Sequence, residues 1–589
     1  MIREGVIRRI NGSLIIAEGL PDAKIGDVAY IGGQRLIGEV VKISGNEVDL
    51  QCYEDTSGLR PGEPVVNTGK PLVAELGPGL VGEIFDGLER SELELWRLTG
   101  PFIKKGYRIA PLRRDKKWHF IPRIKVGDRV TEGDILGIVR ETSVVEHRIL
   151  TPVGINGVVE RIEEGDFRVE EPIAEIRLPS GEKREITMVQ VWPVRIPRPY
   201  KRRLPVTDPL FTGQRVIDMF FPVAKGGTAA IPGGFGSGKT ITLHQIAKWS
   251  DADIVIYIGC GERGNEMAEV ITNFPQLEDP RTGKKLIERA IFIANVSNLP
   301  VSAREASVYM GVTIAEYLRD QGYHVAVIID STSRWAEALR DLSGRLEEIP
   351  AEEGYPAYLA ERIAGIYERA GKVVALGGAD RVGSVTIMGA VSPPGGDFSE
   401  PVTSTTIRYV GSLWALDTEL AYRRHFPAIN WLRSFTKYVG LLDEFWGRYD
   451  PNWKIYRERA LEVLEEASRL EEIARVIGEK ALPDEQRLIL LVSEIIREGY
   501  LVQHAFHEVD TYCPPEKQVE ILKVIIGFYD LARPLIEAGV PVDRLRELRS
   551  VMELLRLKEK KTLEEIMEDS ARLKTELESL KAEYEVKAA

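Results

Sequence analysis

Short runs in which apolar and polar residues alternate open the chain, among them Gly5 to Ile10 and Ser13 to Ala17, punctuated by Asn11-Gly12 and Gly45-Asn46. Alternation puts successive side chains on opposite faces of a strand, so the residues up to about Thr68 predict a small β-barrel or sandwich. Gly69 to Lys105 reads as a linker, with the turn Gly77-Pro78-Gly79 and a short helical stretch near Glu89 to Leu98. Strands and turns return from Gly106 to Arg195, including Lys125 to Val130 and Thr151 to Gly157, and Pro197-Arg198-Pro199 marks the next boundary. Beyond it Thr228 to Pro232 reads as a short buried strand, and Ile254 to Ile258 and Val325 to Ile329 are wholly apolar, as strands covered on both faces are. Lys239 to Ser250 carries Ile241, Ile246, Ala247 and Trp249, which predicts a helix with one apolar side. After about Phe435 the spacing becomes three and four, in Tyr456 to Ile477 and in Asp484 to Tyr500, the second preceded by Pro483 as a helix-start signal. Glu553 to Lys581 is rich in Glu, Lys, Arg and Leu and predicts a charged, solvated terminal helix or hairpin. The expected fold is multidomain α/β, divided as 1–68, 69–105, 106–195, 196–435 and 436–589.

Between the first two apolar strands lies Gly233-Gly234-Phe235-Gly236-Ser237-Gly238-Lys239-Thr240, which fits the phosphate-loop pattern G-x-x-x-x-G-K-[ST]. A strand before it and a helix after it make a βαβ unit. In such a loop the glycines let consecutive backbone N–H groups converge on phosphate oxygens, Lys239 adds a point charge, and the Thr240 hydroxyl is placed to ligate Mg²⁺ at the helix N-terminus. Asp330 ends the third apolar strand, where a carboxylate can hold Mg²⁺ through water. The second strand delivers Cys260-Gly261-Glu262-Arg263-Gly264. Ligands of open parallel sheets sit beyond the carboxyl ends of the strands, so Glu262 is expected beside the phosphates as the group that polarises an attacking water.

Composition narrows the class. A chain of 589 residues with 44% apolar content can hold several cores, about three to five domains by length. The net charge of −12 argues against a broad basic face for nucleic acid. No stretch approaches the ~20 apolar residues of a membrane span, and Met1-Ile2-Arg3-Glu4-Gly5 lacks the apolar core of a signal peptide, so a cytoplasmic protein is expected. Cys52, Cys260 and Cys513 have no ligand spacing, which predicts reduced, mostly structural thiols, and without His/Cys clusters no zinc is expected; nor is haem or flavin. The 106–195 segment resembles the folded-over sandwich of biotin and lipoyl carriers. It has no lysine at an exposed hairpin tip, so a structural insert is expected rather than a carrier.

Gly226-Gly227-Thr228, the phosphate loop, GCGERGNE at Gly259 to Glu266, DSTSRWAEALR at Asp330 to Arg340, EEGYPAYLA at Glu352 to Ala360 and SPPGGDFSEPVT at Ser392 to Thr403 together resemble the catalytic A subunit of archaeal-type (A/V-type) rotary ATPases along the whole chain. The resemblance implies an N-terminal β-barrel, a β-rich insert, a RecA-like nucleotide-binding domain and a C-terminal helical domain. It implies ATP or ADP with Mg²⁺ as the nucleotide species, and hydrolysis or synthesis coupled by rotation to proton or sodium transport. The implied partners are B subunits, in an alternating hexamer of three A and three B chains, central and peripheral stalks, and a membrane sector contacted indirectly, at the cytoplasmic face; nucleic acid is not among them. Residue by residue it assigns Lys239 and Thr240 to triphosphate and Mg²⁺, Glu262 to water polarisation, Arg263 to an active-site arginine, Asp330 to the Mg²⁺ side, and Phe426 and Phe506 to the walls of the adenine site.

The chain departs from that pattern at three positions. Gly234 stands where the archaeal pattern usually has Pro, which predicts a less constrained loop. Thr436 replaces a Ser but keeps the hydroxyl, and Ser237 stands where vacuolar relatives carry a redox-sensitive Cys. A non-catalytic nucleotide-binding partner subunit would lack the intact loop and the GER carboxylate. A hexameric RNA translocase would need a barrel with exposed aromatics and basic residues, a cluster that the segment to Thr68 does not show.

Overall fold

The computed structural model describes residues 4–100 and 105–588. Six antiparallel strands between Glu4 and Pro71 close into a barrel. Its alternating pattern sends Ile7, Ile15, Ala17, Ala29, Ile31, Val40, Val48 and Leu50 into one interior cluster, and closure removes the free sheet edges that would otherwise invite aggregation. Residues 106–195 form two four-stranded antiparallel sheets. Phe120, Leu136, Val159 and Ile176 are packed between them.

The segment expected to be a linker contributes structure to two domains instead. Val73–Leu76 pairs with Gln190–Pro193 from the far end of the insert, and Ile84–Phe85 adds a parallel edge strand to the central sheet. Ala74, Leu76, Leu80, Val81 and Phe85 are buried there, because the chain crosses between domains through a packed interface. The expected helix is Glu92–Thr99, capped by Ser91. The expectation for 101–104, like that for residues 1–3, lies outside the described residues.

The central sheet has ten strands, and its main path runs Phe435–Thr436, Ser412–Leu413, Thr228–Pro232, Val382–Val391, His324–Asp330, Ile254–Cys260, Ala290–Asn295, Ile84–Phe85. The strand before the phosphate loop therefore pairs in parallel with Val382–Val391 and Ser412–Leu413, and two strands separate it from Ile254–Cys260. Helices cover both faces, which is why these strands read as unbroken apolar runs. Ile254, Ile256 and Ile258 belong to the core cluster on the side of the helix Val301–Asp320, while Val255 and Tyr257 belong to the cluster on the side of the loop helix. The loop helix, Lys239–Trp249, buries Thr242, Leu243, Ile246 and Ala247. Ile241 faces out at 49% exposure, so the apolar side is rotated from the one expected.

The long helices of the C-terminal region are Trp453–Ile477, Asp484–Ile495 continued by a π-turn Ile496–Leu501, Pro515–Glu537 and the terminal helix Leu563–Ala588, with shorter ones such as Val542–Arg546 and Arg549–Glu553 between. Of the segment expected from Glu553 to Lys581, Leu554–Glu559 is a separate 3-10 turn and one helix runs from Leu563, docked as well as charged: Ile566, Leu573, Leu577 and Leu580 are buried in the cluster that holds Pro515–Glu537.

Buried ion pairs join the domains. Arg195, at the end of the insert, reaches Glu39 of the barrel at 3.0 Å and Glu305 of the nucleotide domain at 2.8 Å. Arg369 holds Glu316 at 2.6 Å and donates to the Val194 carbonyl at 2.8 Å, all but sealed from solvent. Removing one partner of such a pair leaves an uncompensated charge, so Arg369→Ala should destabilise the chain by about 3–5 kcal/mol, read as a lowered urea midpoint. A loss under about 1 kcal/mol would show that Glu316 re-pairs with Arg319, 4.0 Å away.

Candidate active site

The phosphate loop leaves the end of its strand at Pro232, whose register partner is Val391. Gly233 follows in a crowded place: a Cβ there would come within 2.6 Å of Ser237 Oγ and 2.7 Å of Leu416 Cβ. Gly236 and Gly238 adopt left-handed backbone, φ 79° and 82°, which admits side chains poorly. At Gly238 a Cβ would also meet the Phe426 ring at 3.1 Å, so glycine serves both conformation and close approach. Gly234 has no left-handed φ, and a Cβ there would lie 3.3 Å from Thr418 Cγ2, so backbone conformation alone does not demand glycine at 234. The Ser237 hydroxyl donates to the Gly234 carbonyl at 2.8 Å and ties the loop across its base.

Lys239 opens the loop helix, and its Nζ donates to the Gly233 carbonyl at 3.0 Å and to Ser392 Oγ at 2.5 Å. Burial lowers its pKa, opposed by the charges of Asp330 and Glu262. Thr240 lies in the first turn of the same helix. Asp330 terminates its strand beside Gly259 and accepts a hydrogen bond from Tyr257 at 2.8 Å. Burial pushes its pKa up to about 6, the Glu262 charge adds to the rise, and Tyr257 and Lys239 oppose it. Glu262 stands two residues past the end of the neighbouring strand, after Gly261 at φ 72°. The Gly261 N–H donates to the Asn295 carbonyl at 2.7 Å and the Ser297 N–H to the Glu262 carbonyl at 2.9 Å, so the turn is held by the next strand's end.

The structure thus brings Gly233–Thr240, Glu262 and Asp330 to one end of the sheet. Arg263 stands at its rim, 66% exposed, with its guanidinium 5.6 Å from the Phe235 ring centroid and 3.8 Å from Glu266. Phe426 is part-exposed against Gly238 and Phe506 is 91% exposed, the Gln503 N–H donating to the Phe426 carbonyl at 2.8 Å between them. Two residues at this end had no role assigned from sequence. Ser392 receives Lys239, and its own N–H donates to Ser333 Oγ at 2.8 Å. Arg334 lies against Gly261, is chelated by Glu337 at 2.8 and 2.9 Å, and acts electrostatically on Glu262 and Lys239. Both belong to stretches that carried the family resemblance. Only the sheet register shows that Ser392 follows Val391 as Gly233 follows Pro232.

The oxygen donors Thr240 and Asp330 suit a hard cation that keeps several waters and takes its remaining ligands from substrate phosphates. Among the described residues no group of three or more His, Cys, Asp or Glu could hold a metal by itself. Cys52, Cys260 and Cys513 are buried free thiols.

Comparison with known proteins decides the family. Residues 213–436 match the ATP synthase alpha/beta family nucleotide-binding domain, 7–69 its beta-barrel domain, 109–195 the alpha/beta subunit barrel-sandwich domain, and 442–546 the C-terminal domain of V and A type ATP synthase. The A subunit of the A-type ATP synthase from Thermofilum pendens is 57% identical over 95% of this chain and 93% of that protein. Its counterpart in Thermococcus onnurineus is 55% identical over 95% and 96%. This chain belongs to the family of A-type ATP synthase A subunits. The relative from Thermococcus sibiricus, at 54%, spans 98% of this chain and all of its own length. The assembled ATPase EscN from the type III secretion system of enteropathogenic E. coli shares the fold, with a TM-score of 0.62 at 21% identity over 89% of this chain and all of that one. The barrel, insert, nucleotide domain and helical domain described above each correspond to one of these matched domains, and no helix among the described residues is long and apolar enough to cross a membrane.

Proposed function

We propose that this protein, the catalytic ATP hydrolase/synthase chain of an ion-transporting rotary ATPase, performs its chemistry at the loop Gly233–Thr240, with Glu262 as the carboxylate that polarises the attacking water. The observation that carries the reading is the convergence of Lys239, Glu262 and Asp330 at the carboxyl ends of three sheet strands. The loop N–H groups and Lys239 bind and orient the β- and γ-phosphates. Thr240 and, through water, Asp330 would hold Mg²⁺, which when bound neutralises phosphate charge as the bond to the leaving diphosphate breaks. Glu262 orients a water in line with that bond and accepts its proton, and in synthesis returns it. Arg263 acts at the mouth of the site, and Phe426 and Phe506 sandwich the adenine, whose π-face needs only flat apolar partners. The chain works as a peripheral component at the cytoplasmic face of the membrane, in a ring of three A and three B chains joined to central and peripheral stalks and, through them, to a membrane sector moving protons or sodium ions.

Lys239→Ala tests the phosphate assignment. Triphosphate affinity and turnover should fall together, turnover by about 10²-fold or more, since the lost charge serves ground state and transition state alike. Diphosphate affinity should suffer less and adenosine affinity should not change. Equal losses for adenosine, measured by calorimetry, would show a collapsed site and refute the assignment.

A further inference from the structure

The loop that enters the nucleotide domain, Thr212 to Asp218, is stitched to the segment Tyr500 to Cys513 of the helical domain, which carries Phe506. At the centre of the seam is Arg215, wholly buried. Its Nε donates to the Tyr500 carbonyl at 2.6 Å, one Nη to the Val502 carbonyl at 2.8 Å, the other Nη pairs with Asp510 at 2.7 Å, and its backbone N–H donates to Gln503 Oε1 at 2.9 Å. The groups that Arg215 grips are those that shape the Phe506 turn. Gln503 sends its amide to the Gly213 carbonyl and its N–H to the Phe426 carbonyl, both at 2.8 Å. Asp510 accepts the His504 N–H at 2.8 Å, closing the 504–510 turn with Phe506 exposed on it. The Cys513 N–H donates to the Gly213 carbonyl at 2.9 Å.

We infer that Arg215 is a positioning residue for base recognition: it holds the Phe506 turn, through Asp510, and Phe426, through Gln503, at a set separation, so that the nucleotide domain and the helical domain present one slot of fixed width. A guanidinium is suited to this because its rigid fork spans two carbonyls and a carboxylate at once, which an ammonium on a flexible stem does not. Phe506 is not fixed by its own packing, being 91% exposed, and Phe426 rests on Gly238 by one edge only, while a flat slot loses stacking steeply once its walls separate. The polar partners of Arg215, Tyr500, Val502, Gln503 and Asp510 with the Cys513 thiol beside them, include none of the phosphate-loop residues, so the clamp acts on the base and not on the phosphates. This inference rests on the adenine assignment of Phe426 and Phe506.

The test compares ADP with inorganic tripolyphosphate, which has no base, on the full chain by calorimetry. Arg215→Lys should weaken ADP about tenfold, the scale of one impaired base stack, and leave tripolyphosphate within about twofold. Asp510→Asn, which keeps the shape and both carbonyl contacts, should move ADP in the same direction by less and serves if Arg215→Lys does not fold. Phe506→Leu separates the two readings. If Phe506→Leu weakens ADP selectively while Arg215→Lys and Asp510→Asn do not, the clamp is overturned and the adenine site stands. If Phe506→Leu has no selective effect, the adenine assignment fails and the clamp with it. Equal weakening of ADP and tripolyphosphate by the Arg215 or Asp510 variant would show a merely structural role and would also overturn it.

Discussion

Glu262→Gln should cut multi-turnover ATP hydrolysis by about 10²–10⁴-fold, the range for loss of a positioned general base, with nucleotide affinity kept within a few-fold. The amide preserves the size of the side chain and the turn that places it, because that turn is held by backbone bonds, Gly261 to Asn295 and Ser297 to Glu262, and not by the carboxylate. The change removes a charge that now stands close enough to raise the pKa of Asp330 and to oppose the fall at Lys239. Calorimetric binding and steady-state turnover in the assembled ring would give both quantities. A turnover within threefold of wild type would move the base to another residue, with Glu266 the next acidic candidate in reach of the same field.

The isolated chain should hydrolyse ATP slowly and gain about 10³–10⁵-fold on addition of the partner chains, the increment associated with a transition-state arginine supplied from outside. Among the described residues the cations near this end of the sheet include Lys239, Arg263, Arg334 and Arg304, the last donating to the Ser297 carbonyl at 2.8 Å. Arg334 is engaged by both oxygens of Glu337, and Arg263 sits at the rim over Phe235. On the proposed reading Lys239 is the cation that meets the phosphates, so charge developing on the transferred phosphoryl is left partly unmatched by this chain. The assay is hydrolysis by this chain alone, then across a titration of partner chains, with a partner lacking the arginine as control. Full activity from the isolated chain, unchanged by partners, would make the site self-sufficient and end the shared-site mechanism.

Much of this site is legible in the sequence, and the reason is local. A phosphate loop binds through consecutive backbone N–H groups, so its residues must be contiguous, and Gly233 to Thr240 can be read as a string. Glu262 and Asp330 are legible for a related reason: each lies at or just after the carboxyl end of an apolar run, and parallel sheets gather those ends on one side. The barrel follows from alternation, and the hydroxyl at 436 is expected to survive its change of residue. Thr436 Oγ1 donates to the Pro222 carbonyl at 2.7 Å.

What tertiary structure decided is which elements became neighbours. Hydrophobic pattern reports that a strand is buried on both faces but not beside which strand it lies, so the pairing of the loop strand with Val382–Val391, and with it the placing of Ser392 on Lys239, was not readable. The same limit applies to the linker whose residues complete two sheets, to Ile241, left outside because the face of a helix is chosen by what packs on it, and to the terminal helix docked on Pro515–Glu537. Arg215 is the clearest case: in the sequence it is one arginine among many, while its partners stand 285 to 295 residues away (Tyr500 and Asp510 against 215). A buried guanidinium acquires its meaning only from the carbonyls and carboxylate that the fold closes around it, because contacts at such separation are set by the packing of whole domains rather than by any local preference of the chain.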